Sequence, residues 1–442
     1  MNTHETPRNV SIKSALEDAR ARYVERNPES HARHRRATEV MPGGNTRTVL
    51  FHSPFPLAIK GGRGCHVEDA DGHDYVDYLG EYTAGLFGHS NPDIRAAIIG
   101  ALDRGINLSG HNTVEPEFAE AVCARVPSLE LVRFTNSGTE ANLMAVATAC
   151  IHTGRRKVLA FRGGYHGGLL SFGETPVATN VPHEFLMATY NDAAGTAALL
   201  EEHGDAIAAI IVEPMMGASG CIPADGEFLK LLREEADRRG IVLIFDEVMT
   251  SRLSPGGLQE VHGILPDLTT LGKYMGGGMS FGAFGGGREL MSIYDPRRAD
   301  SIGHAGTFNN NIMTMSAGLV AMTKLYTPDV ARKLNALGDD LRERLNAVCR
   351  KHGAALVFTG IGSMMTAHFA ATPPRNAGEA QQADQSLKEL FYFEMLERGV
   401  FMARRAMVAL SLEIAPKDCD MLVDAVADFV SLRKPLLSGR VH

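Results

Sequence analysis

The sequence predicts an α/β fold: a mostly parallel central sheet covered by helices, with a smaller α+β domain beside it. Two continuous apolar runs, Ala206–Val212 and Ile241–Phe245, carry this expectation. Neither alternates polar with apolar residues as a strand with one wet face does, so both faces must be covered. The third observation is their setting. From about residue 115, short apolar runs alternate with segments of helical period, the order that builds a parallel sheet.

Taken in order, residues 11–40 read as one charge-rich amphipathic helix, with Ala15, Ala19, Tyr23 and Val24 at helical spacing. Met41 to Arg47 is a loop by its turn residues. Between Leu57 and Leu79, short β-branched and aromatic runs flank Asp71-Gly72, a hairpin signal, so a small antiparallel piece is expected there. The pattern turns helical after Asn91-Pro92. Leu131–Phe134 and Lys157–Phe161 are strands, and Glu140–His152 and Phe228–Arg239 helices. A long helix runs from Asn311 to about Tyr326, followed by helical, charge-balanced sequence to about Gly353. Beyond it, strand runs at Ala355–Phe358, Met365–Phe369 and Met407–Leu412 mix with helices, and residues 371–382 read as an exposed or mobile loop. The expected organisation is a large α/β domain over 61–325 and a small α+β domain over 326–442, joined by residues 1–60.

Composition narrows the function. The chain has 442 residues, 44% of them hydrophobic and 22% charged, with a net charge of −8 and no basic stripe. That balance argues against nucleic-acid or anionic-membrane partners. Its apolar runs are too short to span a bilayer. Residues 1–10 are polar and lack a secretory signal's apolar run, and the six cysteines show no paired spacing. Both point to a cytosolic protein with reduced thiols.

Ligands of such sheets bind at the carboxyl ends of the strands. After Phe134 comes Thr135-Asn136-Ser137-Gly138-Thr139-Glu140, small and hydroxylic residues opening a helix. Their N–H groups and the helix dipole suit a phosphate, although a plain N-cap reads the same way. After Phe161 comes Gly163-Gly164-Tyr165-His166-Gly167, an aromatic between glycines that could lie against a ring. The Ala206–Val212 strand ends in Glu213, and the Ile241–Phe245 strand in Asp246-Glu247-Val248. A carboxylate at the end of an apolar strand needs a cationic partner. A protonated pyridine nitrogen qualifies, and no His or Cys nearby has the spacing of a metal ligand. Finally, Lys273 stands in Leu271-Gly272-Lys273-Tyr274-Met275-Gly276-Gly277-Gly278, where the glycines let backbone approach something bulky. A Schiff-base lysine needs a partly dry pocket and a fixed partner. Phosphate clamp, aromatic, aspartate and lysine together describe pyridoxal phosphate, with no metal.

These blocks, with Gly306-Thr307-Phe308, resemble the class III (fold type I) pyridoxal-phosphate-dependent aminotransferases over about residues 35–435. The likeness is greatest to the β-amino acid (β-phenylalanine-type) transaminases and the related glutamate-1-semialdehyde aminomutases. The resemblance implies that Lys273 forms the Schiff base and moves the proton. It implies that Asp246 pairs with the pyridine N–H, Tyr165 stacks on the ring, Val248 packs on the other face and Glu213 supports the ring side. Ser137, Gly138 and Thr139 would hold the phosphate, and Thr307 would reach it across the interface of a homodimer with shared active sites.

Where aminomutases carry a small-residue loop, this chain reads Thr307-Phe308-Asn309-Asn310-Asn311, and it has Arg404-Arg405 in a C-terminal stretch that is also altered. With Arg47, this resembles the transaminases of 3-amino acids. In that likeness Arg47 and Arg405 bind carboxylates and Tyr82 lines the pocket. The implied activity is ping-pong transfer of an amino group from a β-amino acid to 2-oxoglutarate or pyruvate. Three rivals remain: a semialdehyde aminomutase, an ω-amine transaminase and a non-catalytic regulator. The last is disfavoured because no DNA-binding segment precedes residue 40.

Overall fold

Seven strands form the central sheet of the computed structural model, which describes residues 11–437. Their spatial order is Leu131–Thr135, Gly282–Gly286, Leu268–Gly272, Val242–Asp246, Ile207–Val212, Lys157–Phe161 and Glu184–Ala188. Val242–Asp246 runs parallel to both its neighbours, and Lys157–Phe161 parallel to both of its own. Only Gly282–Gly286 runs against the strands beside it.

Period-2 geometry divides the apolar side chains between two faces. Ile211, Val242, Ile244 and Leu268 pack with Ala141, Ala145, Val146 and Ala149 of helix Gly138–Thr153. Ile210, Val212, Leu243 and Phe245 pack with Phe228, Leu229, Leu232 and Ala236 of helix Gly226–Arg239. Both faces are therefore dry. This explains the unbroken apolar runs and bears out the mostly parallel, helix-covered sheet.

Gly282–Gly286 was not legible as a strand, because glycine is depleted in strands. Its neighbours lie too close for side chains: an added Cβ would come within 2.1 Å of the Ser137 carbonyl oxygen at Gly282, and within 2.3 Å of that of Leu131 at Gly285. Leu268–Gly272 and Glu184–Ala188 are likewise strands that the sequence reading did not name.

Three smaller sheets surround this core. Ile59–Arg63, His66–Asp69 and Asp74–Asp77 are antiparallel, as the Asp71-Gly72 turn requires, and Val400–Phe401 joins them parallel to Asp74–Asp77. Val357–Ile361, Met364–His368 and Met407–Ala409 form an antiparallel sheet close to the expected runs. Met215–Met216 pairs with Ile222–Pro223. Helix Ile12–Arg26 packs along helix Gln385–Glu397, where Arg20 pairs with Glu389 and Arg22 with Glu397.

Several expectations need correction. Residues 11–40 hold two helices, Ile12–Arg26 and Pro28–Thr38, because Pro28 has no N–H to continue the first and Asn27 leaves the helical region. Val24 is exposed, while Ala15, Ala19 and Tyr23 are buried. The helix from Ile312 keeps α geometry only to Val320 and closes in a π turn, Ala321–Leu325. The 371–382 segment is not wholly an exposed loop: Ala377–Gln381 is a capped helical turn with Ala377 and Ala380 buried. All six cysteines are free, and no helix among the described residues is long and apolar enough to cross a membrane.

Candidate active site

Two adjoining cavities open at the carboxyl ends of the central strands, of about 540 and 450 Å³, and both are bordered by Lys273, Tyr165, Arg47 and Met249. Strand Leu268–Gly272 delivers Lys273 to their common wall in a left-handed conformation (φ 54°). Burial pulls its amine from 10.5 down to about 8, Asp246 opposes this, and Arg405 and Arg47 add to it. An amine in this state reacts with an aldehyde at much lower pH than an ordinary lysine.

The larger cavity also collects Ser137, Gly138, Thr139, Glu213, Asp246 and Val248. Strand Val242–Asp246 ends in the buried Asp246 carboxylate. One oxygen accepts from Asn142 Nδ2 and His166 Nδ1, both at 2.8 Å, and the other from the Val248 N–H at 3.0 Å. Asn142 is held in turn by Thr270, whose hydroxyl donates to its Oδ1 at 2.6 Å. Asn142 and His166 are thus parts of the site to which the sequence reading gave no role. A signal for Asn142 existed, since it is an amide on the buried, otherwise alanine-rich stripe of its helix. His166 stood inside a noted block, but its contact with Asp246 spans 80 residues.

Ser137 caps helix Gly138–Thr153 by accepting from the Glu140 N–H, and Glu140 returns a bond to the Asn136 N–H at 2.9 Å. This helix start faces the cavity and suits a phosphate. Its approach to the sheet is close: a Cβ at Gly138 would come within 2.8 Å of Val248, and one at Gly167 within 2.1 Å of the Thr139 hydroxyl. Glu213 is buried and accepts from the N–H groups of Tyr165 (3.1 Å) and Gly217 (2.9 Å). Burial raises its pKa, Asp246 adds to the rise and His166 opposes it. Tyr165 is 47% exposed, its ring free to border both cavities. A helix N-terminus, a buried carboxylate and a half-buried amine around one cavity are the donor set that phosphate, pyridine nitrogen and aldehyde require. The residues therefore fit pyridoxal phosphate.

The smaller cavity brings together Arg47, Tyr82 and Arg405, which lie far apart in sequence. The Arg405 guanidinium sits over the Tyr82 ring at 4.8 Å and that of Arg47 at 5.9 Å. Arg47 pairs with Glu81, both half-exposed. Among the described residues no carboxylate pairs with Arg405, and its buried Nε has no hydrogen-bond partner. Arg404 points elsewhere and binds Glu389 at 3.1 Å. Thr307 is not brought to Lys273 within the chain. It is exposed and borders a separate cavity with Ile106, Leu108 and Phe308, all exposed apolar residues. The Gly306–Asn309 turn is nonetheless tied to the helix start by Asn136 Nδ2 and Asn309 Oδ1 at 2.9 Å.

Residues 51–426 match the class-III aminotransferase family. The chain is 50% identical over 428 residues to a β-phenylalanine transaminase of Variovorax paradoxus, covering 97% of this chain and 98% of that one. The crystal structure of the Variovorax β-phenylalanine aminotransferase superposes with a TM-score of 0.95 over 97% of this chain and 99% of the other. A glutamate-1-semialdehyde 2,1-aminomutase of Akkermansia muciniphila is 37% identical over 412 residues, 88% of this chain and 96% of that protein. A transaminase solved with pyridoxal phosphate bound is 31% identical, with a TM-score of 0.85 over 94% of this chain and 99% of its own. With a full-length match and a cavity suited to the cofactor, the chain belongs to the class-III aminotransferases, the pyridoxal-phosphate-dependent enzymes of fold type I.

Proposed function

We propose that this enzyme moves the amino group of a 3-amino acid with an aromatic or aliphatic substituent to a keto acid, 2-oxoglutarate or pyruvate, by alternating half-reactions. The observation that carries the reading is the pair of guanidiniums, Arg47 and Arg405, both over the Tyr82 ring in the cavity that Lys273 borders. Such a pocket can take carboxylates in bidentate fashion and place an amine near the lysine. The 50% identity to a β-phenylalanine transaminase supports the same substrate class.

Pyridoxal phosphate, when bound, supplies an electron sink for charge developing at the amine-bearing carbon. Ser137, Gly138 and Thr139 would hold its phosphate, Asp246 would keep its ring nitrogen protonated, Tyr165 and Val248 would flank its ring, and Glu213 holds the Tyr165 backbone. Lys273 would anchor the cofactor and, once released, its Nζ would carry the proton away from the amine-bearing carbon of the donor. Arg47 binds the donor carboxylate. Its pair with Glu81 is half-exposed, worth about 1 kcal/mol or less, so an incoming carboxylate displaces it at small cost. Arg405 binds the carboxylate of the keto acid. In a homodimer, Thr307 would face the cavity of a second copy of this chain, beside the exposed apolar residues Ile106, Leu108 and Phe308.

Two outcomes test this reading. Arg47→Ala is expected to raise KM for 3-amino acids about 10- to 100-fold, the value of a charge-assisted hydrogen bond, while KM for a carboxylate-free arylalkyl amine changes less than about threefold. Equal effects on both donors would refute the role. Uptake of pyridoxal phosphate by cofactor-free protein should speed up with pH and level off above about 8, as Lys273 becomes neutral. Removing a nearby positive charge favours the protonated amine, so Arg405→Ala should move that midpoint to higher pH. A midpoint near 10.5 in the unaltered enzyme would show that burial does not lower the Lys273 amine.

The aminomutase reading predicts no net transfer to an external keto acid, and the ω-amine reading predicts indifference to the donor carboxylate. A panel of 3-amino acids and simple amines against 2-oxoglutarate and pyruvate separates all three.

A further inference from the structure

The Tyr82 ring is presented to the two arginines by an unusual piece of backbone. Gly80, Glu81, Tyr82 and Thr83 all have positive φ, at 53°, 48°, 53° and 81°. A left-handed turn suits glycine, but it is disfavoured for the three residues that carry a Cβ, and most of all for the β-branched threonine. Nothing in Glu-Tyr-Thr favours this shape locally, so its surroundings must impose it.

Asp77 stands at the start of the turn. Its buried carboxylate accepts from the N–H groups of Leu79 (2.8 Å) and Gly80 (3.0 Å) through Oδ1 and contacts His89 Nε2 at 2.9 Å through Oδ2. Gly80 fits only without a side chain, since a Cβ there would meet the Ala409 carbonyl oxygen at 2.9 Å. Downstream, the Tyr82 hydroxyl donates to the Val49 carbonyl at 3.2 Å, in the loop that carries Arg47. Asp77 also ends a strand whose partner, Val400–Phe401, leads directly into Arg404-Arg405. The Asp77 carboxylate therefore sits where the Tyr82 turn and the Arg405 segment are joined.

We propose that Asp77 is a positioning residue for substrate specificity: by fixing the left-handed Gly80–Thr83 turn it sets Tyr82 and Glu81 against Arg47 and Arg405, and so tunes the enzyme for carboxylate-bearing donors. It touches neither substrate nor cofactor. The inference rests on the reading of Arg47 and Arg405 as carboxylate binders.

The test compares a 3-amino-3-arylpropanoate with the matching carboxylate-free arylalkyl amine, using holoenzyme. Asp77→Ala is expected to raise KM for the amino acid at least about tenfold and that for the amine less than threefold, with cofactor absorbance unchanged. Asp77→Asn, whose amide oxygen can still accept both N–H groups, should return KM to within about threefold of the unaltered enzyme. A merely structural role would depress both donors together, and that outcome overturns the proposal. If Asp77→Ala does not accumulate folded, Asp77→Glu is used, which keeps a carboxylate but moves it one methylene away from its fit to the Leu79 and Gly80 N–H groups. A threefold or greater rise confined to the amino acid supports the proposal, and no such rise overturns it. If Arg47→Ala and Arg405→Ala themselves fail to discriminate the donors, the arginine reading has failed. If they discriminate and the Asp77 variants do not, only this inference has failed.

Discussion

Lys273→Ala should cut amino transfer by at least about 10⁴-fold, because the proposed reaction assigns one side chain both the covalent anchor and the proton carrier. The protein should still fold. Lys273 lies on the cavity wall, and removing an amine whose charge burial disfavours relieves a desolvation cost. The measurement is the rate of keto-acid amination under saturating donor, together with the visible absorbance of the loaded protein and its Tm. Loss of activity with an unchanged Tm is the expected pattern. Activity within tenfold of the unaltered enzyme would eliminate Lys273 as the catalytic residue.

The second large effect belongs to Asp246. Asp246→Asn keeps the shape of the side chain but loses the charge that would hold the ring nitrogen protonated. A fall in kcat of about 10²- to 10³-fold is expected, the usual value of one well-placed electrostatic contact, with the cofactor still bound. Asp246→Ala should do more. It leaves Asn142 Nδ2 and His166 Nδ1 without their acceptor in a buried site, at about 1–3 kcal/mol for each stranded group. A lower Tm and weaker cofactor retention should accompany the loss of turnover. If Asp246→Asn turns over within threefold of the unaltered enzyme, the carboxylate has no part in the chemistry.

The two predictions differ in how much of the site each residue commands. Lys273 depends mainly on the strand that delivers it and on the dryness of its wall. Asp246 is the centre of a hydrogen-bonded group drawn from three elements: Asn142 on a helix, His166 in a loop and Thr270 on the adjacent strand. Double substitutions at Asp246 and His166 should therefore be less than additive, as expected for residues sharing one network.

The sequence by itself determined that the sheet is mostly parallel and covered on both faces, and it named residues that line the larger cavity. Parallel strands covered on both faces must be continuously apolar, and Ile207–Val212 and Val242–Asp246 are. Ligand-binding groups of such a sheet follow the strand ends in sequence, so Ser137–Thr139, Tyr165, Glu213 and Asp246 stood a few residues past recognised strands, whereas Lys273 was found from its glycine flanks because its strand, Leu268–Gly272, went unread. Short-range order in the chain is short-range order in space at these turns, and that is why the reading works.

Tertiary structure alone decided the rest. The antiparallel glycine strand Gly282–Gly286 exists because neighbouring carbonyl oxygens leave no room for a Cβ, which composition reports as an absence of strand formers. The support of Asp246 by Asn142 and His166 spans 104 and 80 residues. The left-handed conformation of Glu81, Tyr82 and Thr83 contradicts local propensity and is imposed by Asp77, Ala409 and Val49 from elsewhere in the chain. Arg47, Tyr82 and Arg405 meet only after the Asp74–Asp77 and Val400–Phe401 strands pair. Residues close in sequence reveal the larger cavity, whereas the smaller one is assembled from contacts tens to hundreds of residues apart, which no local pattern encodes.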